Sequence, residues 1–157
     1  MKTLYLIPAA ALCAAAASAG TVEVATQPTA NYVDAGKTTW DAQSNVQTLT
    51  RYLQRLGKDL LPAGHVLKVE LLDVDLAGTQ FGDRARVVTG GADWPRIRLR
   101  YTLQAPGQPV RTAEEVVQDM NYTRGLVGVR DEPLPYEKRM LRAWFRERFA
   151  SPGQPHA

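Results

Sequence analysis

Arg96-Ile-Arg-Leu-Arg-Tyr-Thr-Leu103 sets Ile97, Leu99, Tyr101 and Leu103 at every second position, with Arg96, Arg98, Arg100 and Thr102 between them. Side chains on a strand alternate between two faces, so this stretch is a strand with one apolar and one guanidinium-rich face. A sheet built from such strands needs cover on one side only, as antiparallel sheets often have. Downstream, Ala105-Pro106-Gly107-Gln108 is a turn sequence, and residues 110–118 read as the antiparallel partner.

Upstream, residues 65–76 read as another strand with an irregular pattern. Leu67, Val69 and Leu71 are apolar at odd positions, whereas from Leu72 the apolar residues are Leu72, Val74 and Leu76. A period of two cannot change parity without an extra residue, which predicts a bulge near Leu71. Residues 78–93, rich in glycine and without periodicity, form a long loop in which 84–89 has the composition of a short strand.

Two helical patterns flank these strands. Val46, Leu49, Leu53, Leu56 and Leu60 recur at spacings of three and four and draw one narrow apolar stripe, stopped by Leu61-Pro62-Ala63-Gly64. Asp41 is the expected cap of this helix. At the other end, residues 136–149 place Tyr136, Met140, Leu141, Trp144 and Phe145 on a broad apolar face, with Arg139, Arg142 and Arg146 along a ridge away from it. Residues 21–26 alternate as a short first strand. Trp40, Trp94 and Trp144 are expected in core or hinge packing. The order β-α-β-β-β-α, with two one-sided helices, predicts an α+β two-layer sandwich: about four mostly antiparallel strands with both helices on one face. A strand-helix-strand start with parallel strands takes a right-handed crossover.

The beginning of the chain reads differently. Lys2 precedes an apolar run from Leu4 to Ala17, and Ala17-Ser18-Ala19 offers small residues at the positions that signal peptidase reads. Residues 1–19 are therefore expected to be an export signal, 20–150 one domain and 151–157 a disordered tail. The run ends without the polar stop of a spanning helix, so no membrane span is expected once the signal is removed. Leu12 directly before Cys13 is a poor lipoprotein site, and with Cys13 in the leader the remaining 138 residues hold no cysteine and no disulfide. Those residues carry 18 basic and 16 acidic side chains, too even a balance for a nucleic-acid protein.

The chemistry of the chain is narrow. His65 and His156 are its histidines, and neither has a nucleophile motif beside it. The sequence shows no zinc pattern, phosphate-binding glycine loop or dinucleotide fingerprint, so no cofactor is expected. Asp73 and Asp75 place two carboxylates on one side of a strand about 7 Å apart. Such a pair suits oxygen ligation of a divalent cation or, at that spacing, a carboxylate-pair hydrolase; ion pairing with strand arginines is the commoner outcome. Arg96, Arg98 and Arg100 offer planar forks for a carboxylate, a phosphate or an acidic partner. The same guanidiniums are also expected to find cross-strand acids such as Glu114 or Glu115, with Asp119 as a third candidate.

Four segments carry a resemblance: Asp73-Val-Asp-Leu-Ala-Gly78; Ala92-Asp-Trp-Pro-Arg-Ile-Arg-Leu-Arg-Tyr101; Asp119-Met120 with Tyr122; and Leu134-Pro-Tyr-Glu-Lys-Arg-Met-Leu141 with Trp144-Phe145. Together they resemble domain-of-unknown-function family 3016, exported bacterial proteins without an established activity. The resemblance implies a periplasmic or envelope setting and carries over no catalytic residue. The expectation is a non-enzymatic periplasmic module that binds an envelope protein or an anionic ligand, with Arg96, Arg98, Arg100, Asp73 and Asp75 as contact candidates. The alternative is a small hydrolase or divalent-metal-binding domain using Asp73 and Asp75.

Overall fold

A computed structural model of the chain describes residues 19–79, 86–88, 90–124 and 132–150. The leader up to Ser18 with Cys13, the 151–157 tail and half of the 84–89 stretch lie outside the described residues; in the other half Val87 makes an isolated antiparallel bridge to Thr79. The elements are β1 (Thr21–Thr26), α1 (Thr39–Leu60), β2 (Val66–Asp75), β3 (Arg96–Gln104), β4 (Arg111–Gln118) and α2 (Pro135–Phe145). A single wider turn, Arg146–Ala150, continues α2. The strands form one mixed sheet in the order β1-β2-β3-β4, with β1 parallel to β2 and the other two pairs antiparallel. The chain is thus an α+β fold in the expected order. No helix among the described residues is long and apolar enough to cross a membrane.

The alternation read in the sequence is what builds the core. Ile97 and Leu99 are fully buried and Tyr101 nearly so. They meet Leu67, Val69, Leu71 and Val74 of β2 and the stripe Val46, Leu49, Leu53 and Leu56 of α1 in one apolar cluster, with Leu60 and Leu103 packed at its margin. The parity change resolves as a bulge. Leu71 lies across from Leu99 and Asp73 from Arg98, leaving Leu72 as the extra residue. That residue keeps Leu71 and Val74 inward and turns Lys68, Glu70, Asp73 and Asp75 to the open face.

Helix α1 starts one turn earlier than an Asp41 cap allows. Thr38 is the N-cap: its Oγ1 accepts from the Asp41 N–H at 3.0 Å, and the Asp41 carboxylate returns to the Thr38 N–H at 3.2 Å. Asp41 is therefore the third residue of a capping box. At its far end α1 crosses β1 at Gly57, where a side-chain carbon would collide with Val22. Helix α2 follows Leu134, a non-glycine residue held at φ 55, and Pro135 sits in its first turn. Trp144, Phe145 and Phe149 stack edge-to-face with one another, and Tyr101 packs the same way on Trp144 and Phe149, closing the core over β3 and β4. One expectation fails here. Trp40, in the first turn of α1, is 74% exposed and packs in neither core nor hinge, because position 40 falls on the face of α1 away from the stripe.

Candidate functional site

Three polar surfaces rest on this frame. The first is the open sheet face with the five candidate residues. Arg96, Arg98 and Arg100 all point outward from β3, each about half exposed, and each meets a carboxylate. Arg96 pairs with Asp75, its Nε 3.0 Å from Oδ2, and its guanidinium lies over the Trp94 ring at 5.5 Å. Arg100 bridges Glu70 and Glu114, both at 3.1 Å, while Arg98 reaches Glu114 at 3.4 Å. Asp73 stands across from Arg98 in register, yet its Oδ1 accepts the Val33 and Val74 N–H groups at 2.9 Å each. The two aspartates therefore face the same way but are occupied separately, Asp73 by backbone and Asp75 by Arg96. Among the described residues no three His, Cys, Asp or Glu side chains gather as a metal ion requires.

Of the three acids named as partners of the stripe, only Glu114 takes that role. Glu115 pairs with Leu99 and so faces the helices, where it accepts from Trp144 Nε1 at 2.9 Å, Arg148 Nε at 3.1 Å and the Tyr101 hydroxyl at 3.3 Å. Asp119 binds Arg139 at 2.9 Å.

The second surface lies where the loops after β2 and β4 meet the start of α2. Glu137 is 2% exposed, and its Oε1 accepts the Ala77 N–H at 2.8 Å. Burial pushes this carboxyl above the ordinary range, against that hydrogen bond and the nearby Arg86 charge. Arg86 itself spans Asp34, at 2.7 and 3.1 Å, and the carbonyls of Leu76, Ala77 and Gly78. Buried Tyr122 donates to Asp93 Oδ1 at 2.7 Å, and desolvation with that bond pushes its phenol up to about 12. Arg139 ties the Asp119–Arg124 turn to α2 through the Tyr122 and Arg124 carbonyls, both at 2.6 Å. Among the described residues no buried side-chain polar atom lacks a partner.

Asp93, Asp119, Tyr122, Glu137 and Arg139 come from separate stretches of chain, the same stretches that carried the sequence resemblance. The model of the family described as protein of unknown function, DUF3016, matches residues 20–147. The chain belongs to this family. Neither a curated protein nor a solved structure matches it. In this DUF3016 chain the family-like segments thus converge on one lock that fixes two loops against α2.

The third surface is a groove of about 370 Å³ between the two helices, with Tyr52, Arg55, Asp59, Pro135, Lys138 and Arg142 among its lining residues. Arg55 and Lys138 each stand beside the Tyr52 ring, 5.9 and 5.8 Å from its centroid. Burial pushes the Tyr52 phenol up, and the Arg142 charge beside it pulls the other way. Lys138 is paired with Glu132 at 2.8 Å. Arg55 and Arg142 have no carboxylate within salt-bridge distance among the described residues, which sets them apart from the stripe on the sheet. Arg142 was visible in the sequence as part of the α2 ridge. Arg55 was not singled out, since only the pairing of the helices brings it opposite.

Proposed function

We propose that this DUF3016 chain is an exported, non-enzymatic binding module of the cell envelope that grips an acidic group of a partner in the groove between α1 and α2. The observation that carries this reading is the pair Arg55 and Arg142, two guanidiniums beside Tyr52 in one groove, neither with a carboxylate within salt-bridge distance among the described residues. Like charges lining one groove repel, and an anion bound there removes that cost while gaining charge-assisted hydrogen bonds. The stripe Arg96, Arg98 and Arg100 offers less, because Asp75, Glu70 and Glu114 already supply the compensating charge. Export rests on the sequence: Lys2, the apolar run to Ala17 and the Ala17-Ser18-Ala19 site.

The test uses the chain from Gly20 onward and a fluorescent poly-glutamate peptide as the anionic probe. Anisotropy should rise on titration at low salt, and Arg55→Glu with Arg142→Glu should abolish the rise. A wild-type chain that never binds the peptide, or a double variant that binds it equally well, contradicts the reading.

A further inference from the structure

We propose that the outer face at the start of α1 is a platform for an uncharged pyranose chain, which stacks on Trp40 and is held at its edges by Gln43, Ser44 and Gln47. These four residues line one open recess of about 380 Å³. Their offsets of three, four and seven put them on a single helix face about 10 Å long, away from buried Ala42, Val46 and Leu49. The fold gives no reason for a tryptophan there. Thr38 and Asp41 already complete the cap, the Asp41 carboxylate also accepting the Thr38 hydroxyl at 2.7 Å. Tryptophan has no helix-forming advantage, and a large ring left in water forgoes the burial that normally fixes such a residue.

The composition of the recess names the ligand. From Ala42 to Thr50 α1 carries no charged residue, whereas its second half holds Arg51, Arg55, Lys58 and Asp59. With no charge in its lining, the recess has nothing to grip an anion or a cation. Trp40 is also the one apolar side chain of that lining, so a protein contact would find no dry surround for it. A pyranose matches what is present: its C–H faces are apolar and its rim is hydroxyl. The indole offers the flat apolar surface, and the glutamine amides and the serine hydroxyl both donate and accept at its border. Gln47 Oε1 accepts from Arg51 at 3.3 Å, which orients that amide. Among the described residues the Trp40 indole N–H, the Gln43 amide and the Ser44 hydroxyl make no hydrogen bond, which leaves them to a ligand.

Saturation-transfer NMR on the chain from Gly20 onward tests this with chitotetraose, cellotetraose and maltotetraose, which differ in substituent and linkage. At least one should take up saturation, most strongly on the C–H protons of one ring face. Trp40→Ala should abolish the transfer with unchanged circular dichroism, since the side chain supports nothing in the core. Trp40→Phe, which keeps a ring surface, should retain part of it, and Gln43→Ala with Gln47→Ala should weaken binding several-fold. No transfer to any of the three sugars, or a Trp40→Ala chain that binds as well as the wild type, overturns the proposal.

Discussion

Glu137, in the first turn of α2, accepts the backbone N–H of Ala77 at 2.8 Å, so one buried carboxylate holds the end of β2 against the last helix. Its carboxyl is raised above the ordinary range by burial. An acid whose folded pKa exceeds its unfolded value contributes stability below the unfolded pKa and loses it as pH rises through the folded one. Unfolding midpoints should therefore fall as pH rises from about 4.5 upward, and Glu137→Gln, which keeps an accepting oxygen for Ala77, should flatten that fall. Denaturant melts of both chains across pH 4–8 check it; parallel pH profiles would show that Glu137 carries no shift.

Leu53 is fully buried at mid-stripe of α1, whereas Arg51, two residues earlier, is exposed on the opposite side of the helix. Leu53→Ala should cost about 2–5 kcal/mol and Arg51→Ala less than about 0.5 kcal/mol. Equal small effects on the urea midpoint would mean that the stripe does not face the sheet.

The Tyr122 hydroxyl is the partner of Asp93 Oδ1 in a nearly closed site, with the ring edge-on to Tyr136 at 5.2 Å. Tyr122→Phe removes one bond and strands a carboxylate, so it should cost about 1–3 kcal/mol with little change in secondary structure. A midpoint unchanged by the substitution would mean that Asp93 finds another donor.

Export predicts its own mass. The protein recovered from the periplasm of an expressing bacterium should begin at Gly20, and intact-mass spectrometry reads this directly. Full-length chain recovered only from the cytosol contradicts export, and a lipid on Cys13 would place the cut before that residue instead.

Sequence periodicity was enough to locate the strands and helices, because burial on one face imposes it. The parity change at Leu71–Leu72 even located the bulge. The cap was misplaced by three residues because Thr38 and Asp41 are both good cap residues, and their reciprocal bonding is a matter of geometry. Glu115 was read as a partner of the arginine stripe since an acid at an inward strand position breaks the binary pattern. Trp144 and Arg148, some thirty residues later, are what make that position tolerable. Glu137 was hidden for the same reason, its partner being a backbone N–H sixty positions away. The Arg55–Arg142 groove depends on how two helices pack, and no local pattern records that.

The binding claim is tested most directly by setting two charge reversals side by side on the same probe. Arg142→Glu in the helix groove and Arg98→Glu on the sheet face change charge equally at exposed sites, and neither should move the melting temperature much, since exposed pairs are worth only about 0–1 kcal/mol. Against fluorescent poly-glutamate at low ionic strength, Arg142→Glu should weaken binding at least about tenfold, roughly 1.4 kcal/mol, with Arg98→Glu close to wild type. The reverse order, with Arg98→Glu abolishing binding and Arg142→Glu retaining it, would move the contact to the arginine stripe and contradict the groove.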